Sequence, residues 1–186
     1  IDVIENSDEF SIKGVISKNS HNKGTFMDYK ILGNDDNIPN FFNNDDYGLV
    51  AIGQIKSAKR RVLLFNLLTK YNINLAIVKS KYSLVSRSAK LGKGTIAMHN
   101  SFINSGANVG INCILNTNSI IEHDVKIGNH CHISTGAIIN GGVTIGSESF
   151  LGSGCIVREG VNIGNNVLVS AGKVVMSDIA SNTIYK

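Results

Sequence analysis

The sequence predicts two architectures in one chain, a small α/β domain in the first half and a parallel β-solenoid in the second. Three observations support this prediction. The composition changes near residue 85, since residues 91–180 hold 14 of the 19 glycines but only 9 of the 32 charged residues. A six-residue repeat begins at the same place. The residues before it alternate between strand-like and helix-like segments.

The overall composition excludes several classes of protein. The 186 residues are 42% apolar and carry a net charge of +4, which is too small to indicate nucleic acid. The basic cluster Lys56–Arg61 opens an amphipathic helix and is interpreted as a solvated face. No apolar stretch is long enough to span a bilayer, no signal sequence opens the chain, and three widely spaced cysteines argue against disulfides. We therefore expect a cytoplasmic protein with no membrane or nucleic-acid partner.

The first half is predicted to form strands and helices in alternation. Apolar segments typical of strands cover Phe10–Ser17, Tyr47–Gly53 and Asn74–Lys79. Ser57 is a candidate N-cap for a helix that continues to about Tyr71. Alternation of this kind predicts a small parallel α/β domain of Rossmann type.

The boundaries of this domain follow from the same segments. Ile1–Ser7 is typical of the end of a helix, so we expect a first strand and a Gly-rich turn to precede Ile1. The Rossmann-like domain is predicted over residues 1–82 and the solenoid over residues 83–186.

The solenoid prediction depends on sixteen consecutive hexads that start at Val85 without an insertion. The first position is Val, Leu or Ile in fifteen of them, with Ala97 as the exception, and the fifth is mostly small. This period fits neither a helix nor a lone strand. It fits a short strand and a bend, three hexads making one triangular coil, with the aliphatic residue inside and the small residue at the corner.

Two groups of small residues have assigned places in this pattern. Gly and Asn at the second position, such as Gly110 and Asn116, are expected to adopt the unusual backbone angles of the corners. Cys113, Cys131 and Cys155 occupy the fifth, inward position, so we interpret them as buried packing residues rather than catalytic thiols.

His123 is the strongest candidate for chemistry. It is third in its hexad and points away from the interior, and Glu122 and Asp124 flank it in a region with few charges. A histidine on a strand surface is the simpler interpretation. A neighbouring carboxylate, however, orients an imidazole, fixes its tautomer and raises its basicity, as a general base requires. His132 lies nine residues further on and is also expected to point outward.

A metal site is the alternative use of these residues. His99, His123, His130 and His132 could supply enough imidazoles for zinc. Their spacing does not match the zinc-binding pattern of the one β-helix family that holds the metal at a trimer interface, so no metal is predicted. His99 and His130 lack acidic neighbours and are expected to be ordinary surface residues.

Residues 115–153 contain the motif N-T-x-S-x-x-E-H-[ED], whose histidine is His123. A second histidine, His132, follows nine residues later. This stretch and the domain order closely resemble the bacterial sugar acetyltransferases that combine a small N-terminal Rossmann-like domain with a left-handed parallel β-helix. That group includes UDP-4-amino-sugar N-acetyltransferases, GDP-perosamine N-acetyltransferases and relatives described as sialic acid O-acetyltransferases. The left hand of the solenoid is implied by this resemblance.

The resemblance also implies roles for individual residues. His123 would be the general base and Asp124 the partner that raises its basicity. The residues implied to bind acetyl-CoA are His132 at the acetyl group, Gly141 at the thioester carbonyl, and Ser153 and Ala171 along the pantetheine. At the position of Ala171 the family often has Gly. The family is trimeric, with acetyl-CoA between neighbouring prisms, and uses no metal.

The sugar nucleotide is implied to bind the Rossmann-like domain. The family often has an acidic pair where this chain has Ser17 and Lys18, and a Gly-Asn-like turn where it has Gly53 and Gln54. Ser17, Lys18 and Gln54 are therefore the candidate substrate-binding residues. We expect an acetyl-CoA-dependent N-acetyltransferase of a nucleotide-linked 4-amino-sugar. An O-acetyltransferase of sialic acid or a related sugar and a non-catalytic scaffold are the alternatives.

Overall fold

The computed structural model describes residues 1–17 and 24–186. Its N-terminal region opens with helix α1 (Asp2–Glu5) and continues with strands β1 (Val15–Ile16), β2 (Thr25–Phe26) and β3 (Tyr29–Gly33). Strand β3 pairs in parallel with β1 and antiparallel with β2. Met27 and Asp28, which join β2 to β3, both have positive φ. A two-residue type I′ hairpin turn requires positive φ at both of these positions.

A β–α–β unit follows this hairpin. A 3₁₀ helix (Asp35–Phe41) leads into strand β4 (Tyr47–Gly48), helix α2 (Lys59–Lys70) and strand β5 (Asn74–Leu75). Strands β4 and β5 pair in parallel, and α2 packs beside them through a core of Ile38, Val50, Phe65 and Leu68. The predicted helix is confirmed to within two residues at each end.

The paired strands of this region are shorter than predicted. Only Val15–Ile16 of the first predicted segment is paired, and only Tyr47–Gly48 of the second. The second segment leaves the sheet because the chain crosses to the triangular β-solenoid, or prism, that begins at Val78. There the Gln54 side chain donates to the carbonyl of His130 at 2.9 Å. The third segment divides into β5 and a strand of the prism, β6 (Val78–Lys79).

The prism has three faces of parallel two-residue strands. The first face contains β6 (Val78–Lys79), β9 (Ile96–Ala97), β12 (Ile114–Leu115), β15 (His132–Ile133), β18 (Phe150–Leu151), β21 (Leu168–Val169) and β23 (Ile184–Tyr185). The second contains β7 (Leu84–Val85), β10 (Phe102–Ile103), β13 (Ile120–Ile121), β16 (Ile138–Ile139), β19 (Ile156–Val157) and β22 (Val174–Val175). The third contains β8 (Lys90–Leu91), β11 (Asn108–Val109), β14 (Lys126–Ile127), β17 (Thr144–Ile145) and β20 (Asn162–Ile163).

Strands β6 to β19 each pair with the strand 18 residues further on, as β13 does with β16, whereas β21 and β23 pair at an interval of 16 residues. Because β6 pairs with β9, the stacking reaches back to Val78, five residues before the proposed domain boundary at residue 83. The division of the chain into two domains at that point stays a prediction.

The hexad register is confirmed by burial. Every first-position residue from Ala97 to Val175 and every fifth-position residue from Ser101 to Val167 is buried. Cys113, Cys131 and Cys155 are free thiols in this interior. Burial raises the pKa of Cys155 to about 12, so that thiol stays protonated and serves packing.

The assignment of the corner angles to the second position is wrong. Residues with left-handed backbone stand at the fourth position, where every residue from Gly94 to Gly172 has φ between 53° and 75°. The second-position glycines are needed for a different reason, the close approach of successive coils. A Cβ atom on Gly110 would lie 2.7 Å from the carbonyl carbon of Gly128, and one on Gly146 would lie 2.5 Å from that of Gly164.

Buried polar contacts join the N-terminal region to the prism. The Arg61 guanidinium donates to the backbone carbonyl of Val50 at 3.2 Å and to the backbone and side-chain oxygens of Asn112, both at 2.8 Å. Burial lowers the pKa of Arg61 to about 10. At the other end of the junction, His99 bonds to Asp2 and to Ser80. Within the described ranges, no helix is long and apolar enough to cross a membrane.

Candidate active site

His123 lies in the turn between β13 and β14, at the edge shared by the second and third faces. Its side chain is 61% exposed, and its Nδ1 atom lies 3.0 Å from Oδ2 of Asp124, which is 73% exposed. If Nδ1–H donates to this carboxylate, Nε2 keeps a lone pair and is free to accept a proton. The outward position expected for His123 is confirmed, and Asp124 is placed to orient it.

Gly141 stands one coil below His123 and is covered by its ring. A Cβ atom built on Gly141 would lie 2.6 Å from Nε2 of His123, which is closer than any real Cβ contact. The backbone of Gly141 is outside the left-handed region, so a side chain here conflicts with the present position of the ring and not with the local turn. Two predicted site residues, His123 and Gly141, are thus brought together.

An open groove of about 590 Å³ surrounds this pair. It is lined by Glu122, His123, Asp124, Asn140, Gly141, Gly142, Glu159 and Gly160. Its lining includes three carboxylates and neither Lys nor Arg. One carboxylate is held in place, because the Asn104 side-chain amide donates to Oε2 of Glu122 at 2.7 Å.

His132 is on the first face, away from this groove, and only 8% of it is exposed. It points out of the prism as expected, but the N-terminal region covers it. Its Nδ1–H donates to the carbonyl of Gln54 at 2.9 Å, and its Nε2 accepts from the Asn116 amide at 3.1 Å. Burial lowers the pKa of His132, so the ring is neutral with both nitrogens occupied.

Ser153 and Ala171 lie at the edge between the first and second faces, one coil apart and both exposed. The Ser153 hydroxyl is 2.9 Å from that of Ser134. A Cβ atom on Gly152 would lie 2.5 Å from the backbone nitrogen of Ala171, so successive coils touch closely along this edge. The width of the second face separates these two residues from His123 in the same chain.

The three candidate substrate-binding residues are not brought together. The Ser17 backbone N–H donates to the carbonyl of Gly33 at 2.9 Å, and Lys18 lies outside the described residues. Gln54 is only 6% exposed and lies in the junction between the N-terminal region and the prism. In the part of the chain that the structure describes, its Oε1 atom is buried without a hydrogen-bond partner.

The expectation that His99 and His130 are ordinary surface residues is wrong. His130 is half-buried, with Nδ1 2.9 Å from the Asn112 amide and its ring edge-on to Phe65. The two ring nitrogens of His99 bond to the side chains of Ser80 and Asp2. Among residues 1–17 and 24–186, no group of three or more His, Cys, Asp or Glu side chains is arranged to hold a metal ion.

Sequence reasoning missed Glu159 and Asn140 as groove residues. Glu159 occupies the same hexad position as His123, two coils later. A comparison of residues at intervals of 18, the length of one coil, would have placed Glu159 on the same edge of the prism as His123.

Part of the prism matches a known family of repeats. Residues 142–177 match the family model described as the hexapeptide repeat of succinyl-transferase. A sequence comparison with curated proteins gave no match.

Among the solved structures that match this chain are the following three. The acetyltransferase domain of PglB from Neisseria gonorrhoeae FA1090 is 22% identical over 97% of this chain and 89% of that one, with a TM-score of 0.86. WeeI from Acinetobacter baumannii AYE is 22% identical over 93% and 82%, with a TM-score of 0.80. PerB from Caulobacter crescentus, solved with CoA and GDP-perosamine, is 30% identical over 83% and 73%, with a TM-score of 0.78.

The identity to PerB over most of both chains, the matched repeat and the stacked parallel coils together establish the family. The chain belongs to the bacterial sugar acetyltransferases of the left-handed β-helix, hexapeptide-repeat family.

Proposed function

We propose that this enzyme transfers the acetyl group of acetyl-CoA to the amino group of a nucleotide-linked 4-amino-sugar, with His123 as the general base. The observation that carries the proposal is the His123–Asp124 pair, whose free Nε2 atom faces the backbone of Gly141. The related structures support the two substrates, since PglB was solved with acetyl-CoA and PerB with CoA and GDP-perosamine.

The chemistry is a direct transfer. Nε2 of His123 takes a proton from the acceptor nitrogen as that nitrogen attacks the thioester carbonyl, and Asp124 stabilises the charged ring. The new C–N bond forms, the C–S bond breaks, and His123 returns the proton to the sulfur of CoA. Among the described residues, no acceptor pairs with the N–H of Gly141, so that group can donate to the oxyanion of the tetrahedral intermediate.

The proposed acetyl-CoA path uses His132, Gly141, Ser153 and Ala171. His132 needs to exchange a partner to bond an acetyl oxygen, because its Nδ1–H is donated to Gln54 and its Nε2 accepts from Asn116. Ser153 and Ala171 suit an extended ligand, since both are small and exposed.

A homotrimer is part of the proposal. The outward residues of the second face are all apolar: Leu84, Phe102, Ile120, Ile138, Ile156 and Val174. Those of the third face are polar or charged: Lys90, Asn108, Lys126, Thr144 and Asn162. An apolar stripe of this kind is typical of a protein interface. Since His123 and Ser153 flank opposite edges of the stripe, a second copy is needed to bring both edges to one acetyl-CoA.

The N-terminal region is proposed to bind the sugar nucleotide as a partial Rossmann-like domain. The parallel β4–α2–β5 unit supports this, since ligands of such folds bind at the carboxyl ends of parallel strands. The loop after β4 contains Gln54, so the proposed substrate region directly contacts His132. A cytoplasmic location belongs to the same proposal, because acetyl-CoA and sugar nucleotides are made there.

O-acetylation of sialic acid is the second candidate, and the groove disfavours it. Glu122, Asp124 and Glu159 surround the base without a balancing Lys or Arg in the lining. Carboxylates attract an ammonium group and repel the carboxylate of a sialic acid.

The experiment is an assay of CoA thiol release from acetyl-CoA against a panel of UDP- and GDP-linked 4-amino-sugars, with free and CMP-linked sialic acid alongside. Turnover on an amino sugar supports the proposal. Turnover on sialic acid alone replaces it with O-acetylation, and failure to bind acetyl-CoA at all supports a non-catalytic scaffold.

A further inference from the structure

Along the edge that contains His123, the third residue of one hexad in each coil stacks on its equivalent in the next coil, and these residues form a column. His123, Gly141 and Glu159 follow one another at 18-residue intervals, one coil each, beside the paired strands β13, β16 and β19. Adjacent parallel strands lie about 4.8 Å apart, so the backbones of His123 and Glu159 are about 10 Å apart. Between these two side chains the column has only a glycine.

The space between the two side chains is open to the groove. Gly141, Gly142 and Gly160 contribute backbone but no side chain to it, and the Gly160 N–H is held by the carbonyl of Gly141 at 3.0 Å. The imidazole of His123 extends over Gly141 and so covers about half of the gap. A group hydrogen-bonded to Nε2 therefore lies close to the coil of Gly141, which is next to the coil of Glu159.

Glu159 also differs from the other two groove carboxylates in its bonding. Glu122 accepts from Asn104, and Asp124 accepts from His123. Glu159 is exposed, and no described residue forms a hydrogen bond or an ion pair with its carboxylate. Its full capacity to accept hydrogen bonds is thus available to a ligand.

We propose that Glu159 is a specificity-determining residue that binds the protonated amino group of the acceptor. This inference rests on the proposed function, because it concerns the acceptor of the same reaction. An ammonium offers three N–H donors and a full charge, both of which suit a carboxylate. A hydroxyl offers one donor and no charge, so Glu159 favours amino sugars over their hydroxyl counterparts.

The role is consistent with the proton balance of the reaction. The bound ammonium releases one proton to solvent at the open groove and becomes an amine. The amine attacks the thioester, its second proton passes to Nε2 of His123, and that proton leaves with the sulfur as CoA thiol. One proton is released overall, and Glu159 itself is unchanged.

The test is Glu159→Gln, which keeps the shape of the side chain and removes its charge. At pH 6.5 the KM for a 4-amino-sugar nucleotide should rise about tenfold, while the KM for acetyl-CoA stays the same. The ratio of mutant to wild-type KM should fall toward one at pH 9, as the acceptor loses its charge. Glu148→Gln is the matched control, because Glu148 is an exposed acid at a different edge of the prism.

Binding measurements separate this inference from the proposed function. Calorimetry without acetyl-CoA compares UDP- and GDP-linked 4-amino-sugars with their 4-hydroxyl counterparts. A preference for the amino probes that disappears in Glu159→Gln upholds the inference, even if no acetylation is found. Acetylation of an amino sugar with the preference unchanged overturns it and leaves the proposed function intact. A raised KM for acetyl-CoA in place of the acceptor also overturns it, because the carboxylate would then contact the coenzyme.

Discussion

The imidazole of His123 covers the backbone of Gly141 so closely that a Cβ atom there would lie 2.6 Å from Nε2. This relationship joins two residues 18 positions apart in sequence, one coil apart in the prism. In this ring position an acceptor held by Nε2 lies close to the Gly141 backbone, and the proposed site needs residue 141 to have no side chain.

Gly141→Ala should therefore damage activity more than stability. The added methyl group must push the imidazole aside, and a displacement of about 1 Å can cost about a hundredfold in rate. The melting temperature should change little, because the ring is exposed and can turn into solvent. Steady-state kinetics and thermal unfolding of the same preparation measure both effects.

Gly142→Ala is the comparison variant for this test. A Cβ atom there meets nothing within 4 Å, but the residue has a φ of 70°, so alanine costs about 1 kcal/mol of folding free energy. We expect the opposite balance, with lower stability and an undisplaced His123. If Gly141→Ala retains full activity, the close approach of Nε2 of His123 to the Gly141 backbone is not part of the mechanism.

His123→Ala should lower kcat by about a hundredfold to ten-thousandfold, the usual contribution of a general base. The prism and the trimer should be unaffected, because the side chain is 61% exposed and, among the described residues, bonds only to Asp124. Turnover of an amino-sugar nucleotide and size-exclusion chromatography with light scattering test the two parts. Lys126→Ala, on the exposed side of the third face, is the control.

Loss of the trimer in His123→Ala would contradict the catalytic assignment, since the residue would then be structural. Activity equal to that of wild type would require another base in the groove, and Glu122 would be the next to test.

Ile133→Asp should unfold the prism. Ile133 is fully buried at a first position, and loss of such a side chain costs about 2–5 kcal/mol before the buried charge is counted. Thermal unfolding followed by circular dichroism should show a large drop in melting temperature. An unchanged melting temperature would refute the hexad register.

Ile156→Asp provides the matched control, because Ile156 is 36% exposed on the outward side of the second face. The same substitution there places the charge at the proposed interface instead of the interior. The prism should remain folded while the trimer dissociates, which light scattering can detect.

The interior of the prism could be predicted from sequence because each coil requires an aliphatic residue at every sixth position. The two uses of glycine could not be separated in this way, since Gly and Asn occur at both the second and the fourth positions. Only the backbone geometry shows that Gly110 avoids a neighbouring coil while Asn112 adopts a left-handed turn.

The environment of His132 was beyond sequence reasoning for a different reason. Its partner Gln54 is 78 residues earlier in the chain, and no periodicity links the two. Their contact depends on how the N-terminal region packs against the first face. His123 was predictable because its partner, Asp124, is its neighbour in sequence.

The buried histidines make stability depend on pH. Burial is the main cause that lowers the pKa of both His130 and His132 in the folded state, whereas the unfolded chain has ordinary histidines with a pKa near 6.5. Below about pH 6.5 the unfolded chain therefore binds protons that the folded chain does not, and folding free energy is lost as the pH falls. Above about pH 7.5 both states are neutral at these positions, so this contribution is constant.

The expected result is a melting temperature that falls between pH 7 and pH 5 more steeply in the wild type than in His132→Gln. The variant keeps a polar side chain but cannot titrate, so its lower overall stability should come with a shallower slope. Thermal unfolding at half-unit pH intervals measures both slopes, and His123→Gln, which replaces an exposed histidine outside the junction, is the control. Equal slopes in wild type and His132→Gln would show that His132 binds protons equally well in the folded and unfolded chain. The close packing of the Gln54 loop over the first face would then be wrong.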